Sequence, residues 1–191
     1  MTEFYELFFQ IEIKGAWYLS DVIDENGHEV LESRFCQGKY FDHVTNLTVI
    51  QNVIGKPVDF RETSFGVPIV SKAFADVVGK FDKKAVQRIP VMIAPSISGY
   101  EILNILTVLD CVDHKQSKIE YYTERDDPPK MVGHIKAIQN AHFNSDVVKG
   151  KHIFRLFEKL VKIIVSEDLK IELMKSKLTG MKFIPINKDV I

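Results

Sequence analysis

Four side chains able to act as metal ligands or catalytic groups lie within five residues of this 191-residue sequence, at Asp110-Cys111-Val112-Asp113-His114. A cysteine near a histidine could form a thiolate nucleophile, and carboxylate, thiol and imidazole groups together could bind a metal ion. Successive side chains of a β-strand point to opposite faces, so a strand would separate Asp110 and His114 from Cys111 and Asp113. The spacing therefore favours a strand end with polar turn residues over a metal site or a catalytic pair.

The rest of the sequence does not complete a catalytic or metal site. Four further histidines lack a ligand partner at helix or strand spacing: His43, His134, His142 and His152. The two cysteines, Cys36 and Cys111, are too few for a disulfide framework or a Cys-x-x-Cys zinc site. The ten glycines are scattered and form no phosphate-binding motif. We therefore predict no catalytic residue, no cofactor and no metal, which makes an enzyme the weaker hypothesis.

Acidic side chains are concentrated at the beginning of the sequence. Residues 1–42 hold nine acidic and three basic side chains, whereas residues 149–191 hold ten basic and five acidic ones. The basic excess is too diffuse for a nucleic-acid footprint, so we predict no nucleic-acid partner. Around Asn26-Gly27, a dipeptide suited to a tight turn, lie five carboxylates that could face a basic protein partner: Asp21, Asp24, Glu25, Glu29 and Glu32. A merely solvated loop is the simpler interpretation of the same residues.

Two segments of the sequence share one pattern, which predicts two similar structural units. Residues 69–91 and 164–186 align without a gap, and each begins with Ile-Val-Ser and ends with Ile-Pro and a β-branched residue. Ser71 and Ser166 are predicted to cap two helices, and the proline of each second strand predicts a strand edge, start or bulge. Apolar residues at helical spacing predict a buried stripe on each helix: Phe74, Val77, Val78 and Phe81 in the first, Leu169, Leu173 and Met174 in the second. Gly180 lies where the second helix would stop.

The remaining apolar runs predict a protein rich in strands, at residues 4–13, 17–19, 35–41 and 47–54. Residues 100–112 are almost continuously apolar, which fits a buried strand pair or a buried helix, and of these we favour strands. We expect residues 135–143 to pair with 152–157 through a turn at 148–151, and residues 119–130 to form a surface loop. The predicted class is α+β, with mixed or antiparallel sheets, few helices and two similar strand-Ser-helix-strand units. A β-rich region at 1–64 would precede a region at 65–191 that contains the repeat, as one compact unit or two packed subdomains.

Composition and the N-terminal residues indicate a cytoplasmic protein. Apolar residues make up 46% and charged residues 27% of the chain, which is ordinary for a globular protein. No apolar stretch approaches the ~18 residues that a membrane span needs, and the N-terminal residues lack the basic region of a secretory signal. We predict no contact with a membrane.

Several short elements follow one another in a distinctive order: Val67-Pro68-Ile69-Val70-Ser71, Ile89-Pro90-Val91, Tyr100 with Ile102-Leu103-Asn104, Leu109-Asp110-Cys111-Val112-Asp113, Ile153-Phe154-Arg155-Leu156, Ile163-Ile164-Val165-Ser166, Leu178-Thr179-Gly180 and Phe183-Ile184-Pro185. In order and spacing, this set resembles the immunity protein eleven family of bacterial polymorphic toxin systems, across residues 65–190. The most specific parts are the Ile-Phe-Arg-Leu element and the three elements that follow it.

The resemblance implies a small intracellular protein that binds a toxin domain, delivered by a neighbouring cell or made by the same cell, and neutralises it. No catalytic residues come with it. The leading hypothesis is a stoichiometric inhibitor that covers the toxin, with the five carboxylates around Asn26-Gly27 as the contact surface. Two alternatives stay open: a small hydrolase or transferase that uses residues 110–114, and a structural module whose repeated halves oligomerise. Whether the protein forms a homo-oligomer is likewise open.

Overall fold

The computed structural model describes residues 3–42 and 46–186, so His43 lies outside the described residues. The described part contains thirteen strands: β1 (Phe4–Phe9), β2 (Tyr18–Ile23), β3 (Leu47–Val53), β4 (Phe60–Glu62), β5 (Pro68–Ser71), β6 (Val86–Ile93), β7 (Ile97–Ile105), β8 (Val108–Leu109), β9 (Lys118–Tyr121), β10 (Ile135–Gln139), β11 (Ile153–Leu156), β12 (Lys159–Ser166) and β13 (Met181–Pro185). It also contains three α-helices: α1 (Lys72–Asp82), α2 (Ser145–Val148) and α3 (Glu167–Lys175).

The strands form two larger sheets and a separate β9–β10 hairpin. One sheet has the order β2-β3-β6-β7-β5-β4 and the other the order β13-β1-β12-β11-β8. The pairs β3–β6 and β8–β11 are parallel, and the other neighbours run antiparallel. The predicted α+β fold with mixed sheets and few helices is confirmed. Among the described residues, no helix combines the length and the apolar character that a membrane crossing requires.

The predicted N-terminal region, residues 1–64, contributes β1 to the smaller sheet and β2, β3 and β4 to the larger one. The predicted boundary after residue 64 falls in the turn between β4 and β5. The division of the chain at that boundary stays a prediction.

Both copies of the sequence repeat fold into the same split β-α-β unit. The units are β5-α1-β6 and β12-α3-β13, and in each the two strands lie on either side of an antiparallel third strand, β7 or β1. The register of the two units also agrees. The row of facing residues across the first unit is Val70, Glu101 and Pro90, and the aligned row across the second is Val165, Tyr5 and Pro185. The two copies therefore share their topology and their strand register.

The two prolines of the repeat lie where a neighbouring strand is missing, as predicted. The pairing between β3 and β6 begins at Val91, so Pro90 lies in the part of β6 that only β7 accompanies. Pro185 lies at the end of β13, the edge strand of the smaller sheet. Neither position needs the N–H group that proline lacks.

Helices α1 and α3 share one core with a face of each large sheet. The predicted stripes supply buried or partly buried side chains from both helices: Phe74, Val77, Val78, Phe81, Leu169 and Leu173. Met174 is exposed, in contrast to the prediction. A second core surrounds Trp17 on the other face of the larger sheet, and a third surrounds Phe4 and Phe154 on the other face of the smaller sheet.

The predicted N-caps of α1 and α3 are confirmed. The Oγ of Ser71 accepts a hydrogen bond from the backbone N–H of Phe74 at 3.2 Å, and the Oγ of Ser166 accepts one from Leu169 at 3.3 Å. Ser166 is fully buried, and its hydroxyl also lies 2.9 Å from Nδ1 of the half-buried His152. The second cap is thus tied into the core, whereas the first is local.

Replacing Ser71 with alanine should lower the free energy of unfolding by about 1 kcal/mol, because the Phe74 amide loses its acceptor. Ser166→Ala should cost about 2 kcal/mol, since His152 also loses a hydrogen-bond partner. Ser71→Asp keeps an acceptor at the cap and serves as the control. Urea denaturation measures all three variants. An equal loss for Ser71→Ala and Ser71→Asp would mean that the cap is not the source of the effect.

Residues 35–41 do not form the predicted strand. Glu32–Phe35 is a 3₁₀-helix, and the chain that follows is irregular up to Phe41. The rings of Phe35 and Phe41 are both buried, with centroids 4.9 Å apart, which explains the apolar pattern. The side chain of Gln87 takes the place of a neighbouring strand: its Oε1 accepts from the Phe41 N–H and its Nε2 donates to the Phe41 carbonyl, both at 2.9 Å.

The predicted pairing of residues 135–143 with 152–157 is also wrong. β10 pairs with β9, while β11 pairs with β12 across a two-residue turn at Phe157-Glu158. That turn has neither of the residues, glycine or asparagine, that mark a tight hairpin in a sequence. Residues 148–151 follow the short helix α2 instead of joining two strands. β1 stops at Phe9, short of residue 13, and α3 stops at Lys175, short of Gly180.

Candidate functional site

The predicted acidic turn is confirmed as a hairpin, and we call residues 21–32 the acidic hairpin. The N–H of Val30 donates to the carbonyl of Val22 at 2.8 Å, and Gly27 has a φ of +79° at the tip. The Oδ1 of Asp24 accepts the backbone N–H groups of His28 and Asn26, each at 2.9 Å. These donors, that of His28 most strongly, hold the pKa of Asp24 below its usual value. The Asp24 carboxylate therefore stabilises the turn, and its Oδ1 is less available for hydrogen bonds with a partner.

Three of the five predicted carboxylates meet on one side of the acidic hairpin. Asp21, Glu29 and Glu32 each place an oxygen within 4.8 Å of the other two. Within residues 3–42 and 46–186, no lysine, arginine or histidine forms an ion pair with them. Leu31 lies between them in sequence and is 63% exposed. Carboxylates this close together can bind a guanidinium group or a hard divalent cation. The fifth residue, Glu25, is exposed at the tip.

The structure separates the chemical groups of residues 110–114, as their strand-like spacing predicts. Cys111 is buried, and burial first, then the charges of Glu158 and Asp110, raise the pKa of its thiol to about 12. A thiol with this pKa stays protonated at neutral pH, whereas the nucleophile in cysteine catalysis is the thiolate. The Oδ1 of Asp113 accepts the N–H of Lys115 at 2.8 Å and so forms a turn. These contacts are those of a strand end and not of an assembled nucleophile.

His114 faces a residue from a distant part of the sequence. Its Nε2 lies 3.3 Å from Oε1 of Glu158, in the turn between β11 and β12. One oxygen of Glu158 is buried without a described hydrogen-bond partner. The pair joins the turn that begins at His114 to the β11–β12 turn, so one member of the predicted chemical cluster has a structural contact.

A pocket that was not predicted from the sequence opens between the two large sheets. It has a volume of about 430 Å³ and is lined by parts of β1, β12, the end of β4 and the β4–β5 turn. Three of its lining residues are charged: Glu6, Glu62 and Lys162. Lys162 Nζ lies 2.7 Å from Oε1 of Glu6. Glu62 is 9% exposed and has no ion-pair partner among the described residues.

A fully buried arginine lies close enough to Glu62 to affect its charge. Nη1 of Arg155 donates to the carbonyl of Leu160 at 2.7 Å, whereas its Nε and Nη2 atoms have no described hydrogen-bond partner. Burial raises the pKa of Glu62 to about 7, and the charge of Arg155 limits that rise. A signal for this site was present in the sequence, because Glu6 and Arg155 interrupt apolar runs that were predicted to be strands.

Residues 17–188 match the model of a family described as an immunity protein family (Imm11). The match therefore begins well before residue 65 and includes the acidic hairpin and both copies of the repeat. Of the pocket it includes the β4–β5 and β12 sides, whereas the β1 residues that line it precede residue 17. Among curated proteins, none matches the chain.

Proposed function

We propose, from the premise that the chain belongs to the immunity protein family Imm11, that this protein binds a cognate bacterial toxin domain and neutralises it. The family match over residues 17–188 carries the proposal. The encounter would take place in the cytoplasm, and the protein would protect its cell during competition between bacteria. The buried, protonated thiol of Cys111 gives an additional reason to prefer binding over chemistry by residues 110–114.

The mechanism that we propose is stoichiometric occlusion, in which a preformed surface covers the active site or substrate cleft of the toxin. A specific interface of this kind buries on the order of 800 Å² on each partner. The acidic hairpin is our proposed contact surface, because its three clustered carboxylates have no described basic partner of their own. The exposed Leu31 adds an apolar contact among them. A basic cleft on the toxin would complement this surface.

Reversing Glu25 and Glu29 to lysine together should weaken toxin binding by about tenfold or more at low salt and flatten its salt dependence. Both side chains are exposed, and neither forms the turn, so the folded state should persist. Asp24 is left unchanged because its carboxylate accepts two backbone N–H groups. Isothermal titration calorimetry at two salt concentrations measures the effect.

A matched control keeps the same change of net charge on other surfaces. Asp110 and Glu124 are exposed carboxylates outside the acidic hairpin, and their joint replacement by lysine should leave the affinity nearly unchanged. If the two double variants weaken binding equally, net charge and not the acidic hairpin is responsible. Unchanged affinity for the Glu25/Glu29 variant at both salt concentrations would remove the acidic hairpin from the interface.

The function itself is tested by co-expression with toxin domains encoded beside this protein. Rescue of growth, followed by co-purification as a one-to-one complex, is the expected result. Rescue at substoichiometric amounts without a complex would favour the enzyme alternative, and single replacements of Cys111, Asp113 and His114 would then be the next step. Absence of rescue by any such pair would contradict the proposal.

A further inference from the structure

The pocket lies where two paired strands separate. The described pairing of β1 with β12 ends at Leu7 and Ile163. The pocket is lined by Phe8 and Phe9 beyond that point in β1, by Val161 and Lys162 before it in β12, and by Glu6 and Leu7 at the end of the paired part. The end of β4 and the β4–β5 turn line its other side. Its volume of about 430 Å³ is at the low end of the ~300–1,000 Å³ of ligand pockets, a size that suits one long side chain.

The charged groups of the pocket leave one carboxylate without a described ion pair. The two most buried charged residues that line it, Glu6 and Glu62, are both acidic. Lys162 is already bound to Glu6 at 2.7 Å, which leaves Glu62 without a described ion-pair partner. A buried carboxylate is unfavourable unless a positive charge or hydrogen-bond donors accompany it. The pocket therefore complements a cation better than an anion.

The rim of the pocket suits the stem of a protein side chain. Phe65 on the β4–β5 turn is 58% exposed, and Val161 on β12 is 54% exposed. Arginine and lysine combine an apolar stem with a charged end, so the stem would pack on these rim residues while the charge reaches Glu62. A charged end in a desolvated pocket surrounded by apolar contacts is the usual arrangement of an interface hot spot.

We propose that this pocket receives an arginine or lysine side chain of the toxin and that Glu62 binds its positive charge. The proposal rests on the proposed function and adds a second contact to the acidic hairpin. It predicts that a basic residue projects from the toxin surface and inserts between β1, β12 and the β4–β5 turn.

Binding of such a cation should be coupled to proton release. Three charged side chains act on the pKa of Glu62: Arg155 from β11, Glu6 from β1 and Lys162 from β12. The backbone N–H of Phe9 also lowers this pKa by hydrogen bonding to the carboxylate, and the Cys36 thiol, whose own pKa is raised by burial, lies near enough to respond to the charge of Glu62. In the free protein, burial raises the pKa of Glu62 to about 7, so both protonation states are present at neutral pH. An inserted cation favours the ionised state, and the affinity should therefore increase as the pH rises from about 6 to about 8.

The first test uses a small cation and does not depend on the toxin. Methylguanidinium is titrated into the full chain, and the carboxyl carbon of Glu62 is observed by NMR. The expected result is a saturable change at Glu62 together with a lower pKa for its carboxyl group. Methylurea, which is similar in shape but neutral, should produce no such change. An equal response to both compounds, or no response to methylguanidinium, would overturn the assignment of a cation site.

The second test uses the complex that the co-expression experiment yields. Glu62→Gln should weaken the affinity roughly 30-fold, as expected for a hot-spot residue, and should remove its dependence on pH. Glu124→Gln is the control, because Glu124 is an exposed carboxylate outside the pocket. If the wild-type protein binds the toxin and Glu62→Gln binds equally well, the pocket proposal fails while the proposed function stands. If no toxin binds the wild-type protein but methylguanidinium does, the proposed function fails, while the assignment of the pocket as a cation-binding site stands.

Discussion

Glu62→Gln is expected to raise the free energy of unfolding by about 3 kcal/mol at pH 8 and by no more than about 1 kcal/mol at pH 5. Burial raises the pKa of Glu62 from 4.5 to about 7, so the folded protein holds this proton more tightly than the unfolded chain. The stability that comes from the protonated carboxyl is complete below pH 4.5 and is lost as the pH rises through 7. Glutamine resembles the protonated state at every pH and avoids that loss.

Urea denaturation at several pH values measures this effect, with the fluorescence of Trp17 as the signal. Trp17 is the single tryptophan of the sequence and is fully buried, so its environment changes on unfolding. Glu124→Gln, an exposed control, should change stability little at any pH. A loss of stability for Glu62→Gln that is equal at pH 5 and pH 8 would contradict the prediction, because it would mean that folding does not raise the pKa of Glu62.

The two effects expected for Glu62→Gln have opposite signs, and their combination is informative. Replacing a residue that only supports the fold should lower both the stability of the protein and its affinity for the toxin. A residue retained for binding can instead reduce the stability of the free protein, since a buried charge is unfavourable until the partner binds and supplies an opposite charge. A variant that is more stable at pH 8 and binds the toxin more weakly would place Glu62 in the second class.

The parts of the fold that were predicted correctly from the sequence are determined by residues close together in the sequence. A β-branched strand, a serine cap and an apolar helical stripe are local signals, and both copies of the repeat formed the predicted units. The Asn26-Gly27 turn is local too, and it brought Asp21 and Glu29 together with Glu32. In these segments the preference of each residue agrees with the fold around it.

The parts that the sequence did not predict depend on contacts between distant residues. The backbone hydrogen bonds of Phe41 are made by the side chain of Gln87, which is 46 positions away. The apolar residues around Phe41 resembled a strand in the sequence, because nothing near them indicated this distant partner. The ion pair that lines the pocket joins Glu6 to Lys162, which are 156 positions apart. A single charged residue in an apolar strand indicates that a buried polar contact exists, but the sequence alone does not show which residue makes it.

Gly180→Ala is expected to lower the free energy of unfolding by about 4 kcal/mol, the largest effect predicted for a single methyl group in this chain. Gly180 has a φ of +94°, in the region that disfavours other residues. A Cβ atom at this position would lie 2.2 Å from the carbonyl oxygen of Phe60 and 3.0 Å from the Cβ of Val58. The clash with backbone requires a shift of β4 or of the loop before β13.

That shift is opposed by hydrogen bonds on both sides of Gly180. The N–H and the hydroxyl of Thr179 both donate to Oδ2 of Asp59 at 2.8 Å, and the Gly180 carbonyl accepts the N–H of Gln10 at 2.7 Å. Gly99 provides the control, because its φ is +87° but nothing lies within 4 Å of the point that a Cβ atom would occupy. Gly99→Ala should thus cost only the conformational strain, about 1 kcal/mol. Equal losses in urea denaturation would mean that backbone strain alone, and not the close approach of β4, requires glycine in the Leu-Thr-Gly element.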